Sequence, residues 1–156
     1  EKGLCEIGSD FPIALAIAEL RDSNRYHDWT LELRYLLFRY EEHLSASQNF
    51  VNEQWSRIWE ASAAESIEHI QPQSKGSHQR SDSDIFVHRL GNLVLLPPRL
   101  NSKLQDLDPV EKADAYRKTG LNQAIDVAGR IPTWDRAAVE KREEEILAWA
   151  ASHWAD

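Results

Sequence analysis

The chain has 156 residues, 42% hydrophobic and 28% charged, the make-up of one globular domain rather than two independent cores. With 26 acidic against 18 basic residues the net charge is −8, which argues against a protein that grips nucleic acid or acidic lipid by bulk charge. A single cysteine, Cys5, excludes an internal disulfide and every zinc framework built from paired cysteines, and apolar runs such as 13–18 and 93–96 fall far short of the ~20 residues of a membrane span.

The expectation is therefore a soluble, cytoplasmic chain with no membrane partner. No methionine occurs, at position 1 or elsewhere, which reads as a domain trimmed from a longer protein. The charge is unevenly spread. Residues 1–70 carry −7 and 121–156 carry −3, while 71–120 carry +2. Between 71 and 104, Lys75, Arg80, Arg89, Arg99 and Lys103 face only Asp82 and Asp84, so an anionic ligand, if one binds, binds there.

In chain order, Asp10 as N-cap, Pro12 in the first turn and an Ala/Leu-rich run predict a short helix over 11–21, followed by a turn over 22–29. From Thr30 to Ser45, Leu33, Leu36, Leu37, Tyr40 and Leu44 recur at three- and four-residue spacing, with Glu32, Arg34, Glu41 and Glu42 off that stripe, and predict an amphipathic helix. Within 49–59, Trp55, Ile58 and Trp59 fit a helical face. Residues 66–70, β-branched at 67 and 70, read as a strand that Pro72 and a polar loop over 71–84 bring to an end. Gly91-Asn92 suits a left-handed turn, 93–96 reads as a second strand, and a helix opens at Pro98. Asp108-Pro109-x-Glu111 starts a helix that runs to Lys118 and ends at Gly120, and a last helix spans 135–154 with Arg142 on its apolar side, expected to be partly buried and paired. The six tryptophans, scattered among apolar neighbours, read as core.

The chemistry-bearing residues cluster in the middle of this order. Glu68 and His69 are adjacent at a strand end, Asn92 follows His69 by 23 residues, and Asn101 follows Asn92 by nine. A strand, a return and a helix can gather these four side chains. An imidazole can take a proton from water, while a carboxylate and an amide oxygen are hard ligands suited to a magnesium-like ion beside a phosphate, so the set suggests phosphodiester hydrolysis. His69, His78 and His88, at spacings of nine and ten, match no common zinc pattern. His27, His43 and His153 read as solvated or packed.

Three blocks make a resemblance specific: Ile67-Glu68-His69-Ile70-Gln71-Pro72-Gln73, His88-Arg89-Leu90-Gly91-Asn92-Leu93-Val94-Leu95-Leu96 and Leu100-Asn101-Ser102-Lys103-Leu104. Together they resemble the HNH, or His-Me finger, nuclease domain at the C-terminus of GmrSD-type restriction proteins. Tyr35–Glu41 resembles the helix before that site, and Trp134, Arg142, Leu147 and Trp154 resemble its C-terminal helix, so the likeness covers about residues 30–156. The resemblance implies an α+β, mostly helical fold: a ββα-metal core of two short strands and a helix (66–106), embedded between an N-terminal helical part (1–60) and C-terminal helices (108–156). It implies a metal-dependent DNA endonuclease of a restriction or phage-defence protein, normally preceded by an NTPase-like N-terminal domain. Carried over by residue, His69 is the general base, and Glu68 with Asn101 holds one Mg2+ or Mn2+ ion. Asn92 supports and orients His69. His88 is either a supporting group behind His69 or a structural hydrogen-bonding residue. Arg89, Arg99 and Lys103 are candidates for phosphate contact on charge and proximity alone. Asparagine at 101, where many HNH domains carry histidine, favours an oxygen-ligated hard ion over zinc. Two other readings stand beside this one: a degenerate HNH fold serving as a binding or assembly module, and a nuclease directed to RNA or to a particular nucleic-acid structure.

Overall fold

The computed structural model describes residues 13–21, 25–45, 54–75 and 86–154. Asp10, Pro12, Cys5, residues 49–53 and the stretch of the polar loop that holds His78 and Arg80 lie outside the described residues. The chain is mostly helical around one small sheet, an α+β arrangement. In order come α1 (Ile13–Leu20), α2 (Thr30–Leu44), α3 (Gln54–Glu60), α4 (Ala63–Ser66), β1 (Ile67–His69), β2 (Leu93–Leu95), α5 (Pro98–Leu104), α6 (Pro109–Arg117), α7 (Asn122–Arg130) and α8 (Arg136–His153). Among the described residues no helix is long and apolar enough to cross a membrane.

β1 and β2 pair antiparallel in the register Ile67↔Leu95, Glu68↔Val94 and His69↔Leu93. Ile70 N–H donates to Asn92 O at 2.9 Å and Leu96 N–H to Ser66 O at 2.9 Å, prolonging the ladder at both ends. All six strand residues are buried, so helices cover both faces, which explains why these strands read as continuous apolar runs rather than as alternation. The core runs from Leu33, Leu36 and Leu37 of α2 through Leu93–Leu96 to Val127 and Ile146. Of the tryptophans, Trp55 and Trp134 are core residues, whereas Trp59 is 39% exposed and lies under the Arg34 guanidinium.

Some helix starts are carried by local sequence and others are not, as α4, α6 and α7 show. Ser62 and Glu65 form a capping box at α4, and Asp108 N–H donates to Glu111 Oε2 at 2.9 Å at α6. α6 gives way to Gly120 in a left-handed conformation at φ 72°, as expected of a glycine past a helix end. α7 has no local side-chain cap. Its first N–H groups donate instead to the Glu41 carboxylate of α2, Gln123 N–H reaching Oε2 at 2.8 Å and Asn122 N–H reaching Oε1. Glu41, expected off the apolar stripe, is therefore 2% exposed, because its charge is spent on a helix N-terminus. Leu44, expected on the stripe, is exposed at the end of α2.

Gly91 corrects another expectation. Its backbone has no positive φ; what demands glycine is closeness, since a Cβ there would lie 2.0 Å from Val139 O of α8. Gly91→Ala must push α8 off the turn that carries Asn92. We expect a cost of about 3 kcal/mol, the upper range for overpacking against backbone, read as a thermal midpoint lowered by about 6–12 °C. An unchanged midpoint would mean that turn and helix do not approach so closely. Arg142, on the same helix, is 1% exposed, and its partners are neutral: Gly91 O at 2.9 Å, Leu93 O at 2.7 Å and Gln123 Oε1 at 3.0 Å. Burial pulls its guanidinium down to about 10, still charged at physiological pH. The expected partly buried, paired arginine is thus a wholly buried one that fastens α8 and α7 to the start of β2.

Candidate active site

His69 ends β1 and is 4% exposed. Gln73, exposed on the turn after Pro72, places its amide nitrogen 3.1 Å from His69 Nδ1. On the other side of the ring His69 Nε2 lies 3.0 Å from His88 Nδ1. With the Gln73 amide as donor, Nδ1 holds the lone pair, and Nε2 carries the proton and donates to His88. Burial, then the neighbouring charges of His88, Lys112 and His27, lowers the His69 imidazole from its ordinary value to about 3. The ring is neutral at physiological pH, with one nitrogen directed at an exposed, displaceable side chain.

The turn between α1 and α2 covers this pair. Tyr26, 8% exposed, meets His69 edge-on at 4.5 Å between ring centroids and stacks on His88 at 5.2 Å, and His27 meets His88 at 4.6 Å. The sequence marked that segment only as a turn, and His27 only as solvated or packed.

Asn92 is wholly buried and fully used. Its Nδ2 donates to Gln71 O at 3.0 Å and Val87 O at 2.8 Å, while its Oδ1 accepts from Gln71 N–H at 2.9 Å and Trp134 Nε1–H at 3.1 Å. It ties the segment leaving β1 to the segment entering β2. Asn101, on α5, donates Nδ2 to Glu65 O at 2.8 Å and Ile67 O at 3.1 Å, which fixes α5 against the start of β1. Arg99 and Lys103, one turn apart on α5, are exposed.

Arg89 departs from its expected role. Its guanidinium is buried against α8, with Nη2 donating to Glu143 Oε1 at 2.6 Å, Nε to Glu143 Oε2 at 3.2 Å and Nη1 to Glu140 Oε1 at 3.1 Å. A buried, bidentate arginine already holding a carboxylate is not offered to a phosphate.

Glu68 points into the protein and is 1% exposed. Its Oε1 lies 2.6 Å from Lys112 Nζ and accepts from Tyr116 OH at 3.1 Å. Burial raises the Glu68 carboxyl and lowers the Lys112 ammonium, each opposed by the partner's charge. The ion expected on Glu68 and Asn101 does not fit donors so arranged. The Glu68 carboxylate is turned into the protein toward Lys112 and Tyr116, an ammonium already sits against it, and Asn101 is fixed by its amide nitrogen to the main chain of Glu65 and Ile67. Among the described residues no three His, Cys, Asp or Glu side chains are placed to hold a metal ion. Sequence reasoning missed Lys112 and Tyr116; their i, i+4 spacing on a capped helix was visible, but nothing local says that a lysine there is buried.

No curated protein and no solved structure matches the chain. The model of the family described as GmrSD restriction endonucleases, C-terminal domain, matches residues 15–149, from α1 to within α8 and including every site residue named above. The strand-turn-strand-helix order, the residues it carries and this match together make the chain a member of that family, a restriction-endonuclease-type domain.

Proposed function

We propose that this domain is an HNH-type endonuclease that hydrolyses phosphodiester bonds of DNA, with His69 as general base. The observation that carries the reading is the His69 ring itself: neutral, its Nε2 fastened to His88, its Nδ1 turned toward exposed Gln73. A water replacing the Gln73 amide would donate to the same lone pair, and His69 would take its proton as the oxygen attacks phosphorus and the bond to the 3′ oxygen breaks, the departing 3′ oxygen taking a proton from solvent. His88 accepts the hydrogen bond from Nε2–H and so holds the tautomer that leaves Nδ1 free for this task. The negative charge of a bound phosphate favours the imidazolium formed in that step. Asn92 holds the two segments on which His69 and His88 stand, and Arg99 and Lys103 meet phosphates along the backbone. With a net charge of −8 and only those two exposed cations on α5, binding by the domain alone is weak and strongly salt-dependent. Delivery to DNA would fall to a partner, in this reading an NTPase-like domain.

The cover formed by Tyr26 favours a second reading, a retired site in an assembly module, because DNA reaches Nδ1 only after side chains move. Incubation of the folded chain with supercoiled plasmid, single-stranded DNA and RNA, each with Mg2+, Mn2+ or chelator, separates the two. Nicking or cutting of duplex DNA is expected, and the three arms report whether an ion assists from ligands other than Glu68. Intact DNA in every arm would leave the assembly module standing, and cleavage of RNA alone would change the substrate class.

A further inference from the structure

The Lys112 ammonium stands against Glu68, the carboxylate to which the resemblance gives a divalent ion. Its side chain is 0% exposed and its three N–H groups are all engaged: Glu68 Oε1 at 2.6 Å, His69 O at 2.7 Å and Ile70 O at 3.2 Å. Tyr116, four residues on and therefore on the same face of α6, donates to the same Glu68 oxygen. One helix face thus grips three consecutive residues of the chain: the carboxylate of 68 and the carbonyls of 69 and 70. No reacting atom is touched, yet the main chain of the base is held from both sides.

We propose that Lys112 is a built-in cation: it replaces a metal ion as the charge that neutralises Glu68, and it is a positioning residue that sets the main chain from which the His69 imidazole projects toward His88 and Gln73. A buried carboxylate needs a positive partner, and an ammonium with three oxygen acceptors satisfies it without leaving a donor unused. What the ammonium lacks is an open position for a substrate oxygen, since every N–H is taken and no solvent reaches it. Glu68 then serves the architecture of the strand end, and any ion that assists at the phosphate is held without it. The inference rests on the proposed role of His69 only for the name positioning; its geometry and its test do not require cleavage.

The test is magnetic resonance on the wild-type chain. A buried, fully bonded ammonium exchanges its protons slowly enough to be observed, and its 15Nζ signal should stay in place when Mg2+ is added to 10 mM. Loss or displacement of that signal by Mg2+ would overturn the proposal. Binding of Mn2+, followed by electron paramagnetic resonance, adds a mutational arm. Either no binding, or equal affinity in wild type and in Glu68→Gln, supports the assignment. A loss of tenfold or more in Glu68→Gln, the size expected for removing a ligand, refutes it. For the positioning role, Lys112→Met is compared with wild type through the ring 15N shifts of His69 under conditions where both are folded. Movement of those shifts is expected; a variant that is merely less stable, with the His69 shifts unmoved, would reduce Lys112 to a packing residue.

Discussion

Replacing His69 by alanine lowers the rate of plasmid nicking by roughly 10²–10⁴-fold, the usual consequence of removing a general base. The size follows from the geometry. His69 Nδ1 is the lone pair turned toward the exposed Gln73 amide, and His88 beyond it is engaged through its own Nδ1 with His69 Nε2, so no second imidazole stands ready at the same point. Alanine also removes a buried ring from contact with Tyr26 and His88, and some stability goes with it. Circular dichroism and a thermal midpoint on the same preparation therefore accompany the assay. A folded His69→Ala variant that cuts as fast as wild type would remove His69 from the mechanism.

Glu143→Ala has the largest expected effect on stability. Glu143 is 0% exposed and accepts two N–H groups of Arg89, whose side chain is 8% exposed. Removing one partner of a buried pair leaves a charge without compensation in a low-dielectric interior, which typically costs about 3–5 kcal/mol. Against a total stability of about 5–15 kcal/mol this is a large fraction. Glu140, another carboxylate on Arg89, is 46% exposed and compensates only in part. The expected result is a urea midpoint lowered by more than about 1 M. A midpoint within error of wild type would mean that Arg89 does not depend on Glu143 and would restore it as a candidate phosphate contact.

The contrast between Arg89 and Arg99 shows what the sequence could tell and what it could not. Both were counted into the same positive segment, and charge counting cannot distinguish an arginine on the outside of α5 from one bonded to a carboxylate 54 residues later. The order strand, turn, strand, helix was legible because each element carries a local mark: Pro72 after β1, Pro97-Pro98 after β2, Asp108-Pro109 before α6. α7 went unread because its N-terminal cap is Glu41, 82 residues from the Gln123 whose N–H it accepts. At the site, His69, Asn92 and Asn101 stood out by residue type and spacing. Lys112 did not, since a lysine in a helix reads as a solvated side chain until tertiary packing shows that it is buried. Tyr26 and His27 were hidden for a related reason: their only role at the site is contact across the fold, and a turn of ordinary composition gives no sign of what it covers.

The most direct test of the central claim is cleavage of supercoiled plasmid by the folded chain in 18O-labelled water, with mass analysis of the ends. Attack by a water deprotonated at His69 predicts a 3′-hydroxyl and a 5′-phosphate carrying one 18O from wild type, and no such product from His69→Ala. Intact plasmid from wild type, or a terminal phosphate without label, would contradict it.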